Sequence, residues 1–520
     1  MAFIRAQLTT SLMLAGALAF GSVAMATTDK ETSLLNAAAA GDAEQVRQLL
    51  AAGVDADVAG SDGTTALMNA IRKRHHGAML ALLDAGADIR RVNRYGIDAM
   101  YVASYNGDTD AVRALLEAGA DPNAALPEGQ TALMTAARAG NAEIIKMLLA
   151  AGADGYGVDP NAHEGWLGQT ALMWASAAGH VEAMQALIAG GANINEQSWL
   201  IANPNIDGGR SMGVSFSHIP KGRFTALHFA SRQGQLAAVR TLIDAGADLN
   251  ITDEYGTTAL IVAAVNGHFD VAGALLEAGA DPNVADEWGR TVIFTVTDII
   301  TRDAIARAQP RFDDTLTAAD VVRLALAKGA DPDALLTKKP PTWINVGGDH
   351  SPIVGKGAST LLRAAMSGDL PIIRLLLDAG ADPTLATPLR EGEGMGGGGG
   401  MGDYGHGGTT PFLAAAGVGW RQSVSRGRDA DAIEALKIFM ALGADVNGTN
   451  QAGDTALHAA TYRGSLAIMK FLLDAGADPT IVNRTGWTPM DIALGQPDPA
   501  YRIAANPQAQ ALLRSRMPAQ

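Results

Sequence analysis

Cysteine is absent from this chain of 520 residues, and its absence excludes several kinds of site at once. Without thiols the chain has no disulfide framework, no thiolate metal site, no CxxC redox centre and no cysteine nucleophile. Lysine and arginine are scarce relative to acidic residues, at 39 against 54, which leaves a formal charge of −15. A general phosphate-backbone binder needs a basic surface. We therefore expect no nucleic acid partner, and a basic or neutral protein is the easier partner.

Aromatic residues make up only 5% of the chain, although 48% of the chain is hydrophobic. That hydrophobic share excludes disorder throughout. Much of it is alanine, and small side chains at that density favour close packing of helices over a thick sandwich core.

One apolar run stands out, and it lies at the start of the sequence. Arg5 provides a positive n-region, residues 11–23 form an apolar h-region, and Ala24-Met25-Ala26 is an A-x-A cleavage site. The run is too short for a bilayer span, which needs about 20 residues, and an uncleaved anchor is the alternative. We predict a signal peptide over 1–26, no membrane insertion after cleavage, and a periplasmic location, with secretion as the alternative.

Self-similarity in the rest of the chain predicts its architecture. Gly-Ala-Asp recurs at 86–88, 119–121, 152–154, 246–248, 279–281, 329–331, 380–382, 443–445 and 476–478, with looser copies at Gly53 and Gly191. The step from Gly53 to Gly86 is 33 residues, and it recurs up to Gly152. A Thr-Ala-Leu or Thr-Pro helix start precedes many of these glycines, as at Thr225 and Thr410.

The chemistry of these residues fits a helix with defined ends. Threonine is a good N-cap because its hydroxyl satisfies a free backbone N–H. Glycine adopts the left-handed conformation that ends the second helix. Leucine pairs such as Leu115-Leu116 belong to an apolar stripe. One unit cannot bury such a stripe alone, so neighbouring units must stack.

At these residues the chain resembles the ankyrin repeat family, which has a 33-residue period and the T-P-L-H-x-A helix start. The resemblance covers about twelve units between Ser33 and Arg514. It implies an all-α solenoid of helix-turn-helix units with β-hairpin fingers between them. It also implies a concave binding surface formed by the fingers and first helices. We assign the solenoid to 27–514 and a C-terminal tail to 515–520, and we expect a monomer.

Departures from the 33-residue step predict insertions in a few units. Four lengthen fingers, at about 155–168, 196–223, 333–357 and 385–409, and two lengthen the loop inside a unit, at about 298–318 and 418–430. Insertions in repeat proteins map to loops, often on the binding face. Four long fingers therefore indicate elaborated recognition.

The long fingers are rich in residue types that form interface hot spots, namely aromatic residues and arginine. We predict that the protein-binding residues are Trp166, Trp199, Phe216, Arg223, Trp343 and Tyr404. The alternative is that these aromatic side chains pack the fingers onto their own repeats, and the two roles are compatible.

Five of the ten histidines follow the repeat pattern, as His228 and His268 do, and are predicted to be structural, and His76 neighbours one of them. Four others fall one in each long finger: His163, His218, His350 and His406. Metal ligation by these four is the alternative to a structural role. Because three units separate the second and third long fingers, the four histidines cannot share one metal site. Only the pairs His163 with His218 and His350 with His406 could converge. We predict no metal site and no cofactor.

Motifs for catalysis or nucleotide binding are missing: the sequence has no HExxH, Walker A, GxSxG, SxxK or EF-hand pattern. We therefore predict a non-catalytic scaffold outside the cytoplasm that binds another protein through its concave face and long fingers. One alternative is an accessory subunit of a periplasmic redox or metal enzyme. Another is a secreted effector that binds a host protein.

Overall fold

A computed structural model describes residues 29–151, 157–200, 222–301, 314–340, 353–389, 407–419, 427–495 and 504–517. These residues form 24 helices and contain no β-strand, which confirms the predicted all-α fold. None of the helices in these ranges is both long and apolar enough to cross a membrane. The chain forms two compact units. The first comprises residues up to 127 with 131–135 and 150–158, and the second comprises 128–130, 136–149 and 159–520.

Six helices of the first unit follow one another in pairs. They are α1 (Asp29–Ala40), α2 (Ala43–Ala51), α3 (Ala66–Arg72), α4 (His76–Asp84), α5 (Ala99–Tyr105) and α6 (Thr109–Glu117). The odd-numbered helices pack against one another in one row and the even-numbered helices in a second row. The chain continues through α7 (Ala132–Ala139) and α8 (Ala142–Ala151).

The second unit repeats the same arrangement over eight helix pairs. They are α9 (Ala171–Ala178), α10 (Val181–Ala189), α11 (Ala226–Gln233), α12 (Leu236–Asp244), α13 (Ala259–Val265), α14 (Phe269–Glu277), α15 (Val292–Thr301), α16 (Ala318–Ala327), α17 (Thr360–Ser367), α18 (Leu370–Asp378), α19 (Pro411–Ala416), α20 (Asp429–Ala441), α21 (Ala456–Arg463), α22 (Leu466–Asp474), α23 (Pro489–Ala493) and α24 (Pro507–Arg514). Odd-numbered and even-numbered helices again form two rows.

The ends of the helices follow the predicted capping chemistry. The Thr225 hydroxyl accepts the N–H of the third residue of α11, and Asp98 does the same for α5. Gly246, which follows α12, has a φ of +83°, a conformation that costs little only for glycine. The helix boundaries are therefore set locally.

Each segment between an even-numbered helix and the next odd-numbered helix is here called a finger, and ten of these fingers are closed by one type of bond. In the finger before α13, the Asp253 N–H donates to the Thr257 carbonyl at 3.0 Å, directly before the N-cap Thr258. The Asp253 carboxylate accepts the N–H groups of Tyr255 and Thr257, each at 2.8 Å. The same backbone bond starts from Gly60, Asn93, Glu164, Asp286, Asn450 and Asn483.

Three of the predicted finger insertions are closed by the same bond. The N–H groups of Ser198, Leu336 and Thr387 donate at 2.9–3.0 Å to the residue directly before the next N-cap, which is Phe224, Ala358 and Thr409 respectively. Residues 199–223, 337–357 and 388–408 therefore replace the short turn 254–256 of a regular finger. In place of β-hairpins, the described fingers show four isolated antiparallel bridges: Ala59 with Thr65, Ala125 with Thr131, Thr252 with Thr258, and Leu335 with Ser359.

The first predicted insertion, at about 155–168, differs from these three. Asp159 accepts the Asn161 N–H at 2.8 Å, as Asp248 accepts the Asn250 N–H at 2.9 Å. The finger from Asp159 onward therefore has nearly regular length, and the extra residues precede Asp159.

The two loop insertions, expected at about 298–318 and 418–430, are narrower than predicted because the flanking helices extend into them. Asp298 lies inside α15, where its carboxylate binds Arg363 of α17 at 2.8 Å with both side chains buried. Asp429 is the first residue of α20, and its carboxylate binds Arg463 of α21 at 2.9 Å. Ion pairs with the neighbouring repeat thus stabilise these lengthened helix ends.

Side-chain oxygens link successive repeats beneath the fingers. The Asn250 side chain accepts the N–H of Asp281 at 2.9 Å. Asp281 is the aspartate of the Gly-Ala-Asp sequence in the next repeat. The same link is made by Asp57, Asn161, Asn195, Asn283, Asp333 and Asn447. These bonds fix the spacing between neighbouring fingers within each unit.

A buried histidine connects α11 with the finger that follows it. His228 Nδ1 lies 2.8 Å from the Thr225 hydroxyl, and its Nε2 lies 3.1 Å from the Thr257 carbonyl. Only the neutral ring can accept at Nδ1 while donating at Nε2. Burial lowers the pKa of His228 to about 4, so the ring stays neutral in the folded chain. His458 repeats the arrangement with Thr455 and the Trp487 carbonyl.

We predict that His228 makes the folded chain sensitive to acid. In the unfolded chain His228 takes up a proton near its ordinary pKa of 6.5, whereas in the folded chain it does so only near pH 4. The contribution of neutral His228 to the free energy of unfolding is therefore complete above about pH 6.5 and is lost as the pH falls toward 4. The expected loss is roughly 2–3 kcal/mol. Urea unfolding of wild type and His228→Gln at pH 7.5 and 4.5 measures it. Equal pH dependence in the two proteins would contradict this role.

Candidate protein-binding surface

The first long finger presents a tryptophan on a turn held by a buried carboxylate. Glu164 is only 7% exposed, and its carboxylate accepts the N–H groups of Trp166 and Leu167 at 2.8 Å and of Gln169 at 3.0 Å. The Trp166 side chain is 69% exposed. The backbone of this finger is therefore fixed while the indole faces solvent.

Trp199, at the start of the second long finger, packs against the first. Its N–H donates to the Leu167 carbonyl at 3.0 Å, and its ring lies parallel to that of His163 with centroids 5.6 Å apart. A Cβ on Gly168 would lie 2.1 Å from Trp199 Cγ, so the indole rests directly on this glycine. Trp199 remains 47% exposed. The packing role considered for the finger aromatics therefore applies to Trp199, and its binding role stays a prediction.

Arg223 closes the second long finger and joins it to the next one. It has a φ of +60°, and its guanidinium lies 3.3 Å from the Glu254 carboxylate. The Gln197 side chain donates to the Arg223 carbonyl at 2.9 Å and to the Thr252 carbonyl at 3.0 Å. Arg223 therefore stabilises the contact between two fingers while staying more than half exposed.

Four predicted site residues thus lie on neighbouring fingers: His163, Trp166, Trp199 and Arg223. The other candidates, Phe216, Trp343, Tyr404, His218, His350 and His406, lie outside the described residues. His163 has a carboxylate neighbour, Glu196, at 3.4 Å. In the described ranges no three histidine, aspartate or glutamate side chains form a group that could hold a metal ion.

Residues that the sequence did not single out complete the surface. Leu200 follows Trp199 and is 45% exposed. We call Trp166, Trp199 and Leu200 the tryptophan surface. Glu164 and Gly168, which support it, correspond to Asp253 and Gly256 of a regular turn, with one more residue between them. The acidic residue and the glycine two positions before the N-cap are the signal that could have identified them.

Carboxylates outnumber cationic groups around the tryptophan surface. In the described parts of the three fingers at 159–169, 193–224 and 248–257, six acidic residues face one arginine, Arg223. The acidic residues are Asp159, Glu164, Glu196, Asp248, Asp253 and Glu254. Because Asp253 is largely buried, desolvation raises its pKa. The exposed members contribute negative charge to the described part of this surface.

The first helices of several repeats do not offer an open face. In the second unit α11, α13, α17 and α19 are buried around their circumference: all residues of 226–231, 259–264, 360–367 and 411–416 are buried. In α3 of the first unit, by contrast, Arg72 is exposed. The expectation that first helices line the binding surface does not hold for these four helices, and the accessible apolar groups lie on the fingers.

We predict that Gly168→Ala displaces the Trp199 ring. Alanine at position 168 would have to adopt a left-handed φ of +64°, and its methyl group would clash with the indole. Alanine at position 246 would have to adopt a φ of +83°, but its methyl group would have no atom within 4 Å. Gly168→Ala should therefore lower the free energy of unfolding more than Gly246→Ala does. In a Trp199→Ala background the difference should vanish, as urea unfolding would show. A difference that persists there would contradict the contact.

Models of ankyrin repeats match most of the chain. The family model described as "Ankyrin repeats (3 copies)" matches residues 11–93, 34–125, 99–198 and 204–286. "Ankyrin repeats (many copies)" matches 441–493, and "Ankyrin repeat" matches 356–388. The matches agree with the repeats seen in the helices.

Similar curated proteins share short stretches with this chain. Regulatory protein SWI6 of Kluyveromyces lactis is 44% identical over 50 residues, which are 10% of this chain and 6% of that protein. Notch-regulated ankyrin repeat-containing proteins B and A of Danio rerio are 41% identical over 49 residues and 31% identical over 74 residues. The alignment with protein B covers 44% of that protein and 9% of this chain, and the alignment with protein A covers 66% of that protein and 14% of this chain. The chain thus spans less than half of the first two relatives.

Among solved structures, the human ASB11 ankyrin repeat domain is 26% identical to this chain. The alignment covers 47% of this chain and 96% of that domain, with a TM-score of 0.38.

Proposed function

Because the chain belongs to the ankyrin repeat family, we propose that it is a non-catalytic scaffold that works outside the cytoplasm and binds a basic protein through its fingers. Ankyrin repeats imply protein–protein interaction, and proteins built from them are typically non-catalytic. The finer parts of the proposal are the export, the surface used and the charge of the partner. Each is supported by a separate feature of the chain.

The tryptophan surface carries the proposal. Trp166 is 69% exposed and Trp199 47% exposed, on backbone that is already fixed by the hydrogen bonds of Glu164 and Leu167. Tryptophan is the residue type most enriched at interface hot spots. A pre-formed turn also loses little conformational freedom when a partner binds. These two properties together distinguish this surface from isolated exposed apolar residues.

Export is supported by the sequence of the first residues. Arg5, the apolar run 11–23 and the Ala24-Met25-Ala26 site form the three parts of a signal peptide in order. The absence of cysteine is compatible with an oxidising compartment because no thiol is available for unwanted pairing.

We predict that the mature protein begins near Thr27. Intact-mass measurement of protein from the cell envelope of a producing bacterium should show a chain that lacks residues 1–26. A variant with Ala24→Arg and Ala26→Arg should keep them, because signal cleavage requires small residues at these positions. Full-length protein confined to the cytoplasm would contradict export.

We predict that a partner contacts Trp166 directly. A photo-crosslinking amino acid at position 166 should capture a defined protein, whereas the same amino acid at position 80 should not, although Leu80 is 48% exposed. The double variant Trp166→Ala/Leu200→Ala should then bind the captured protein about 30-fold more weakly, as expected when a hot spot worth about 2 kcal/mol is removed.

The control variant is Leu80→Ala, which removes a similarly exposed apolar side chain on α4. It should change the affinity less than twofold, and both variants should keep the wild-type helicity and melting temperature. Equal capture at positions 80 and 166, or full affinity in the Trp166→Ala/Leu200→Ala variant, would overturn the proposed surface. A captured protein that bears a redox cofactor or metal would favour the accessory-subunit alternative.

A further inference from the structure

The finger between α4 and α5 carries a second exposed surface, of opposite charge. Three arginines, Arg90, Arg91 and Arg94, are exposed there, together with Val92 and Tyr95, which are 56% and 58% exposed. We call these five residues the arginine tip. This finger has regular length and belongs to the first unit, whereas the residues of the tryptophan surface belong to the second.

The arginine tip is built on fixed backbone. The Asn93 side chain accepts the N–H groups of Tyr95 at 2.9 Å and of Ile97 at 3.1 Å. The Arg94 N–H donates to the Asp62 carbonyl of the preceding finger at 3.0 Å. On the other side, a Cβ on Gly96 would lie 2.4 Å from Pro127 Cδ. Neighbouring fingers therefore hold the tip from both sides.

The side chains of the tip are arranged to meet a partner. The Arg94 guanidinium lies over the Tyr95 ring, 5.0 Å from its centroid, an arrangement that orients both groups. No ion pair between residues in the described ranges includes Arg90, Arg91 or Arg94. Arg94 already acts on the Asp62 carboxylate, since its charge contributes to the lowered pKa of Asp62. The charges of Arg90 and Arg91 are available to an external anion.

Nearby carboxylates are already engaged by backbone groups. Asp62 accepts the Thr64 N–H at 3.0 Å and the Thr64 hydroxyl at 2.9 Å, and the Thr64 N–H is the main cause of its lowered pKa. Asp88 accepts the Arg90 N–H at 3.0 Å. These acidic groups stabilise turns, so they only partly offset the charge of the three guanidinium groups.

We propose that the arginine tip is a second docking surface, and that its occupant is an acidic segment of a partner protein. Guanidinium groups pair with carboxylates through two parallel hydrogen bonds, and Val92 and Tyr95 supply apolar contact beside those pairs. Nucleic acid and anionic lipid are the less favourable occupants, because the whole chain carries a charge of −15 and would be repelled by a large anionic surface.

The test measures binding of a fluorescein-labelled octapeptide of glutamate with one central leucine, by anisotropy with the full mature chain. A glutamine peptide of the same pattern is the neutral control. Wild type should bind the glutamate peptide at least about tenfold more tightly than the glutamine peptide. Arg90→Gln/Arg91→Gln/Arg94→Gln should lose about tenfold or more in affinity, and Tyr95→Ala should lose several-fold.

The matched control is Arg72→Gln/Lys73→Gln/Arg113→Gln, which removes the same charge from other exposed positions of this unit. It should change the affinity less than twofold. An equal loss in this control, or no preference for the glutamate peptide, would overturn the proposal. Binding of phosphatidylglycerol vesicles or duplex DNA in place of the peptide would also overturn it, as would self-association that depends on the three arginines.

These experiments test the proposal for the arginine tip independently of the proposal for the tryptophan surface. Trp166→Ala/Leu200→Ala should leave the affinity for the glutamate peptide unchanged, because those residues belong to the second unit. A negative result for the arginine tip therefore leaves the proposed function standing.

Discussion

One backbone hydrogen bond, made in ten fingers from the first residue of the turn to the carbonyl directly before the next N-cap, determines where this chain can vary in length. It closes a regular finger at Asp253 and Thr257 and a greatly enlarged one at Ser198 and Phe224 with nearly the same length, 3.0 and 2.9 Å. The next helix therefore begins in the same way whatever lies between the two residues. Since the entropy of closing a loop grows only slowly with its length, insertions there cost the helix stack little.

The same bond explains why the fingers can act as binding elements. A finger that is closed at its base and linked to its neighbours, as Trp199 is linked to the Leu167 carbonyl and Arg94 to the Asp62 carbonyl, presents its exposed side chains at fixed spacing. Binding then requires little additional ordering of the backbone. In the second unit the buried circumference of α11 and α13 leaves this role to the fingers rather than to the first helices.

Local chemistry made most of the fold predictable, and contacts across repeats made the rest unpredictable. The Thr225 cap and the left-handed Gly246 follow from residue type and spacing alone. Contacts with adjacent repeats determine the burial and the helix ends that residue type alone does not predict. Leu115 is fully buried and Leu116 is not, because helix phase against the adjacent repeat separates two identical residues. Asp298, in a segment expected to be a loop, is helical because Arg363 lies 65 positions later in sequence and pairs with it. For the site, hot-spot composition identified Trp166 and Trp199. It could not reveal that Trp199 rests on Gly168, nor that Arg90 to Tyr95 form a tip, because that finger has regular length.

Opposite local charges on the two units have a consequence that the net charge of −15 conceals. Electrostatic interaction between exposed groups extends over about 10 Å at moderate salt, so a short segment of a partner senses mainly the fingertip that it approaches. An extended anionic surface, by contrast, also meets the acidic remainder of the chain. The exposed carboxylates around the tryptophan surface would repel an acidic segment, and the three guanidinium groups of the arginine tip would repel a basic one. Each proposed surface therefore rejects the ligand of the other. A scaffold that binds two different partners needs this property, because partners of the same charge would compete for both surfaces.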